Sequence, residues 1–312
     1  MNNTKSMIVG LSVLLTGALL VLAPRPVQSM STTFAPGDIF VSITVYAPSV
    51  GVIPGSVTTG QVQWRFPDGT LNRIMISEVP GTAEGMGFDA GANLYLTHWC
   101  FDLTCTTGNT VEKFNTLGLS QGAFGSGYNC NPHAIVFDAA GSAYVGQADC
   151  SGAILKFEPG NAPIAFAVAP DNRGSFWIDL AADGCTIFYT SWGPNVKRFN
   201  TCTGVQLPNF NVAPLPGGEV QDLRILPDGG VLVSSGQVVA RLDASGNLVQ
   251  TYGVAGETSL WAGLDLVGDG TFWVGNYYTS NVYKFDLTTG AVRASFNTGT
   301  PPETVVGVRV LK

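Results

Sequence analysis

The 312-residue chain is built from one repeated unit, and the repeat limits its possible folds more than any other feature. Lys or Arg followed by Phe or Leu, and then by a turn, occurs six times. The copies are Trp64-Arg65-Phe66, Glu112-Lys113-Phe114, Leu155-Lys156-Phe157, Lys197-Arg198-Phe199, Ala240-Arg241-Leu242 and Tyr283-Lys284-Phe285. Their last residues are 48, 43, 42, 43 and 43 positions apart. A second pattern runs in phase: an apolar strand, a Gly turn such as Phe137-Asp138-Ala139-Ala140-Gly141 or Pro227-Asp228-Gly229, then a second apolar strand. Asp-Gly and Ser-Gly suit hairpins because such turns need positive φ. Each unit reads as four short antiparallel strands, and that unit at about 43 residues is the signature of a β-propeller. With 39 Gly, 18 Pro and only 12% charged residues, a helical bundle is excluded. At 45% apolar content the chain can bury a core, which excludes disorder.

The expected fold is therefore all-β: a six-bladed β-propeller with a C-terminal strand completing blade 1. The first unit lacks its innermost strand, and Thr304-Val305-Val306-Gly307-Val308-Arg309-Val310 supplies one from the other end. Such closure leaves no open edge between first and last blades.

Residues 1–29 read as a secretory signal: Lys5, an uncharged apolar run from Met7 to Ala23, then small residues up to Ser29. The alternative is an uncleaved anchor, with the membrane contacted only through this segment. Residues 30–312 form the single propeller domain, and the expected location is secreted or periplasmic. Without the leader the net charge is −9, with no basic stripe, so nucleic acid is not an expected partner. A monomer is expected.

All six cysteines follow the leader, and an even count in an exported chain points to disulfides. Spacing alone allows fifteen pairings. The blade layout brings together Cys185 with Cys202 and Cys130 with Cys150, and leaves Cys100 with Cys105 in one loop.

The stretch Ala134-Ile135-Val136-Phe137-Asp138-Ala139-Ala140-Gly141-Ser142-Ala143-Tyr144-Val145, with the recurring Lys/Arg-Phe turns, resembles the six-bladed propellers of the NHL-repeat, gluconolactonase/regucalcin-like and streptogramin-lyase-like proteins. The resemblance spans nearly the whole chain after the leader. It implies the fold, and it leaves function open because one fold hosts many activities.

Residues that recur in every blade hold the ring, so the six Lys/Arg are read as scaffold. Positions that break the repeat carry the functional information. Two loops between second and third strands are long, about Ser42–Gln61 and His98–Thr110, and they share a face with the starts of the inner strands. That face is the channel mouth, and it is expected to present Glu84, His98, Trp99, Asn131, His133, Asp149, Trp192, Glu219, Asp222, Trp261 and Tyr277. Aromatic rings beside carboxylates and amides suit a small polar ligand such as a sugar or lactone. The expected role is thus a non-catalytic binding module for a small polar molecule or a protein at the mouth. The alternative, implied by the regucalcin-like resemblance, is a lactonase or related hydrolase dependent on a divalent cation such as calcium. Its ligands would be Glu84, Asn131 and Glu219 or Asp222.

Overall fold

In the computed structural model, residues 32–44, 60–100, 108–129, 131–257 and 260–312 are described. They belong to one compact unit, Ser31–Lys312. Within it, strands form six four-stranded antiparallel sheets. The fold is a six-bladed β-propeller, and every Lys/Arg-Phe copy lies on or at the end of the third strand of a blade.

The innermost strands are Val305–Val310 in blade 1, Thr82–Phe88 in blade 2, Pro132–Phe137 in blade 3, Ile178–Leu180 in blade 4, Val220–Ile225 in blade 5 and Trp261–Leu266 in blade 6. Each touches its two neighbours around the ring. The blade 1 strand comes from the C-terminus, pairing Ile39 with Val310 and Val41 with Val308. Inner strands approach so closely that side chains are excluded at some contacts. A Cβ on Gly85 would lie 1.9 Å from the His133 carbonyl oxygen, and one on Gly263 would lie 2.4 Å from the Gly307 Cα.

A relay of carboxylates joins successive inner strands. Asp179 of blade 4 accepts the Ile225 amide of blade 5, Asp222 of blade 5 accepts Leu264 of blade 6, and Asp265 of blade 6 accepts Val310 of blade 1, at 2.8, 2.8 and 2.9 Å. Arg309, on the closing strand, donates from Nε to the Met86 carbonyl of blade 2 and from Nη1 to Asp222 and to the Leu264 carbonyl. Its guanidinium lies 5.0 Å from the Trp177 ring of blade 4. Second strands add hydroxyl bridges outward: Ser42 to the Glu84 carbonyl, Thr97 to that of His133 and Ser234 to that of Ala262.

The recurring cations are used within the scaffold. Lys113 and Lys156 lie over Tyr95 and Tyr144, their cross-strand partners, and Arg198 lies over Phe188 in the same relation. Arg241 and Lys284 reach the turn carboxylates Asp228 and Asp269, and Arg65 covers Phe296. Their stems pack while their charges stay near acids or rings.

Cys185 and Cys202 form a disulfide joining the second strand of blade 4 to the turn after its third strand. Cys100 and Cys150 are also disulfide-bonded. Cys105 and Cys130, their expected partners, lie outside the described residues, as do 45–59 and 101–107 of the two long loops.

Two outcomes follow for stability. Arg309→Ala leaves Asp222 short of a buried partner and is expected to cost about 3–5 kcal/mol in denaturant unfolding, whereas Arg293→Ala, at an exposed pair, is expected to leave the unfolding midpoint nearly unchanged. Replacing Cys185 and Cys202 by Ser opens a loop with a sequence separation of 17 and lowers stability by roughly 3 kcal/mol.

Candidate functional site

The inner strands are not regular at one end. The pairing register shifts between Ala83 and Met86, Pro132 and Ala134, Val220 and Leu223, and Trp261 and Leu264, and opposite Ser42 and Ile43 it skips Val306. A β-bulge turns a side chain away from its alternating direction. Here five bulges do so around one ring, and Glu84, His133, Gln221, Ala262 and Val306 all line a single cavity of about 620 Å³. Phe176 and Trp177, just ahead of the short inner strand of blade 4, complete its inner wall. Trp99, Trp192, Tyr277, Tyr278 and Glu219 also line it, with Glu219 exposed.

The wall is stiffened from behind. The Arg173 guanidinium sits 4.7 Å from the Trp99 ring and 4.6 Å from that of Trp192, clamped between two indoles. Asp149 grips it through two hydrogen bonds, and Asn131 donates to the same carboxylate. Trp192 has a left-handed φ of 52°, uncommon for a bulky residue. Its indole N–H donates to Gln221 Oε1 at 3.1 Å. Because that indole can only donate, the amide orientation of Gln221 is fixed with Nε2 turned away from it.

Beneath the rim lies an ionisable pair removed from solvent. His133 stacks on Phe176 with ring centres 3.8 Å apart and meets Trp177 edge-on. Its Nδ1 is 3.8 Å from Glu84 Oε2, beyond hydrogen-bond range. Burial pushes the Glu84 carboxyl up to about 8, opposed by a hydrogen bond from Thr82 and by the charge of Arg173. Burial, and then that same charge, holds His133 well below its usual range. Near neutral pH the pair is an uncharged acid beside an uncharged imidazole. Both His133 nitrogens, Trp99 Nε1 and Gln221 Nε2 are buried without a hydrogen-bond partner. Such groups cost about 1–3 kcal/mol each when left unpaired.

Of the residues expected at the mouth, the structure gathers Glu84, Trp99, His133, Trp192, Glu219 and Tyr277 into this cavity. It seats the others elsewhere. His98 is fully buried within blade 2 beside Glu112 and Ser77. Asn131 and Asp149 bond to each other behind the wall. Asp222, the second residue of its bulge, turns into the axial charge cluster with Arg224 and Arg309. Trp261 packs in the blade 6 core against Tyr283 and Phe285. Sequence reasoning missed Arg173, Phe176 and the bulge residues Ala262 and Val306. Arg173 could have been found, since it is a cation outside the repeating Lys/Arg-Phe register.

Of the residues expected to hold a divalent cation, Asn131 and Asp222 are engaged by protein partners. The Asn131 oxygen accepts from the Cys100 amide and its nitrogen donates to Asp149. Asn131 does not line the cavity shared by Glu84 and Glu219. Among the described residues no three His, Cys, Asp or Glu side chains are grouped to hold a metal ion.

Solved structures share this architecture. It is the six-bladed propeller of the resemblance noted above. Virginiamycin B lyase from Staphylococcus aureus is similar with a TM-score of 0.54 and 12% identity, over 70% of this chain and 71% of that one. A chain of a nidogen/laminin complex aligns at 0.66 and 11%, over 87% and 97%. A protein of unknown function from Bacteroides caccae gives 0.66 and 11%, over 88% and 98%. Identities this low establish the fold and nothing about activity. No protein-family model matches the chain, and no curated protein matches its sequence.

The raised Glu84 carboxyl has a thermodynamic signature. Above about pH 4.5 the unfolded chain releases this proton while the folded protein keeps it to about pH 8. The folded state then binds more protons, so this group lowers stability as pH rises through that window. Glu84→Gln removes the effect. Its unfolding free energy relative to wild type, from denaturant titrations, is expected to climb between pH 5 and pH 8 and level off above, with a final difference on the order of a few kcal/mol. A flat difference across pH would show that Glu84 ionises normally.

Proposed function

We propose that the protein is an exported, non-catalytic binding module that takes a small polar ligand into the mouth of its propeller. The observation that carries this reading is the cavity walled by six aromatic rings, two of them held in place by Arg173. Rings fixed before binding lose little freedom when a ligand stacks on them, so more of the contact energy becomes affinity. The volume, about 620 Å³, falls in the range of small-molecule sites. Export is supported by the disulfide chemistry, which persists in oxidising compartments, and by the leader pattern of residues 1–29. A protein partner at the same mouth is the second form of the reading. The likeness to a chain of a nidogen/laminin complex favours it.

The test is a calorimetric and tryptophan-emission titration with glucose, gluconate and glucono-1,5-lactone. Binding of at least one is expected, weakened about tenfold or more by Trp192→Ala, the loss of a stacking surface. Lys312→Ala, at the opposite end of the channel, is expected to leave binding unchanged. Lactone turnover by pure protein that EDTA abolishes would replace this reading with a metal-dependent hydrolase. Absence of small-molecule binding, with a Trp192-dependent protein complex, would select the second form.

A further inference from the structure

Taking the mouth as a ligand site, as proposed above, we propose further that its floor receives an sp2 oxygen, carbonyl or carboxylate, borne on a planar ring. Nine buried side-chain polar atoms in the described residues lack a hydrogen-bond partner, and four of them belong to residues lining this one cavity. They are Trp99 Nε1, Gln221 Nε2 and the two nitrogens of His133. The first two can only donate, and a neutral imidazole supplies one further N–H. Trp192 donates to Gln221 Oε1, which orients the amide and leaves its Nε2 donors unused. Glu84, kept protonated by burial, adds an O–H beside His133.

The floor is thus rich in donors, yet no Lys or Arg lines the cavity, and Arg173 behind it is matched by Asp149. Donors without a formal cation suit an oxygen with free lone pairs, whether neutral or anionic. Against these donors stand one acceptor nitrogen of His133 and the carboxylate of Glu219 at the exposed edge, so the buried floor offers an ammonium fewer partners than an oxygen. The part-exposed rings of Trp99, Trp192, Tyr277 and Tyr278 line the same cavity and suit a ring attached to that oxygen. All four atoms belong to residues that line the cavity, and pairing with a ligand oxygen relieves the cost of leaving the donors unpaired.

Benzoate, benzamide and benzylammonium share one ring and differ in the group they offer, so they test the floor directly. Titrated into the full chain, benzoate or benzamide is expected to bind about tenfold or more tighter than benzylammonium, the margin of one well-made hydrogen bond. Whichever leads shows whether the oxygen is a carboxylate or a neutral carbonyl. Gln221→Leu is expected to weaken the leading probe about tenfold. Gln221→Glu, which replaces a donor by an acceptor, is expected to shift preference towards benzylammonium. Melting curves of both variants check that they fold. Benzylammonium binding as tightly as the others overturns the proposal, and so does failure of all three to bind, or indifference to both Gln221 variants. If the sugar or lactone probes still bind in a Trp192-dependent way, only the donor floor is lost. If no titration responds to Trp192→Ala either, the mouth itself is wrong.

Discussion

Everything in this molecule depends on joining the ring at its inner strands. A propeller blade cannot bury both faces alone; each needs a neighbour, and the last blade needs the first. The C-terminal strand Val305–Val310 fills the one missing inner position beside Ile39–Ile43. Its Arg309 then contacts blades 2, 4, 5 and 6 at once. A buried guanidinium is costly unless paired, so its partners must be in place, and this couples closure to the correct seating of distant blades. The carboxylate relay Asp179, Asp222 and Asp265 works in the same direction, spending one side chain per blade to tie down a neighbour's backbone amide.

The same inner strands create the site by becoming irregular. Where they stay in register, side chains alternate and pack between blades. Where the register shifts, an extra residue is left to face the axis, and five such residues surround one cavity. The scaffold's rigid part and its chemically varied part are therefore adjacent stretches of one strand. Blade 4 has the shortest inner strand and contributes Phe176 and Trp177 instead.

Around that cavity the protein keeps groups that a purely structural interior avoids. Glu84 and His133 are stripped of water without gaining a mutual hydrogen bond, and three kinds of donor stand unpaired. Trp192 holds an unfavourable backbone angle, stabilised by Arg173 and Gln221. Concentrated strain and unpaired polarity mark functional sites more often than scaffold. The opposite end of the channel differs: its acids and arginines largely satisfy one another.

The sequence by itself determined the number of blades, the identity of their third strands, the closing strand and the pairing of Cys185 with Cys202. These depend on period and turn chemistry, which are local and repeat six times, so each copy corroborates the others. It also placed Glu84, Trp99, His133, Trp192, Glu219 and Tyr277 at one end of the ring, where they line a common cavity, because strand direction alone sets that. Only the tertiary structure decided which of the mouth residues face the cavity. Glu84 and Asp222 are both acids near the start of an inner strand, yet one lines the cavity and the other turns to the axial arginines. Bulges separate them, and a bulge is fixed by how a strand meets its neighbour across the ring, a contact no local pattern encodes. Arg173 makes the same point: its role exists only because Trp99 and Trp192, from different blades, close on either side of it.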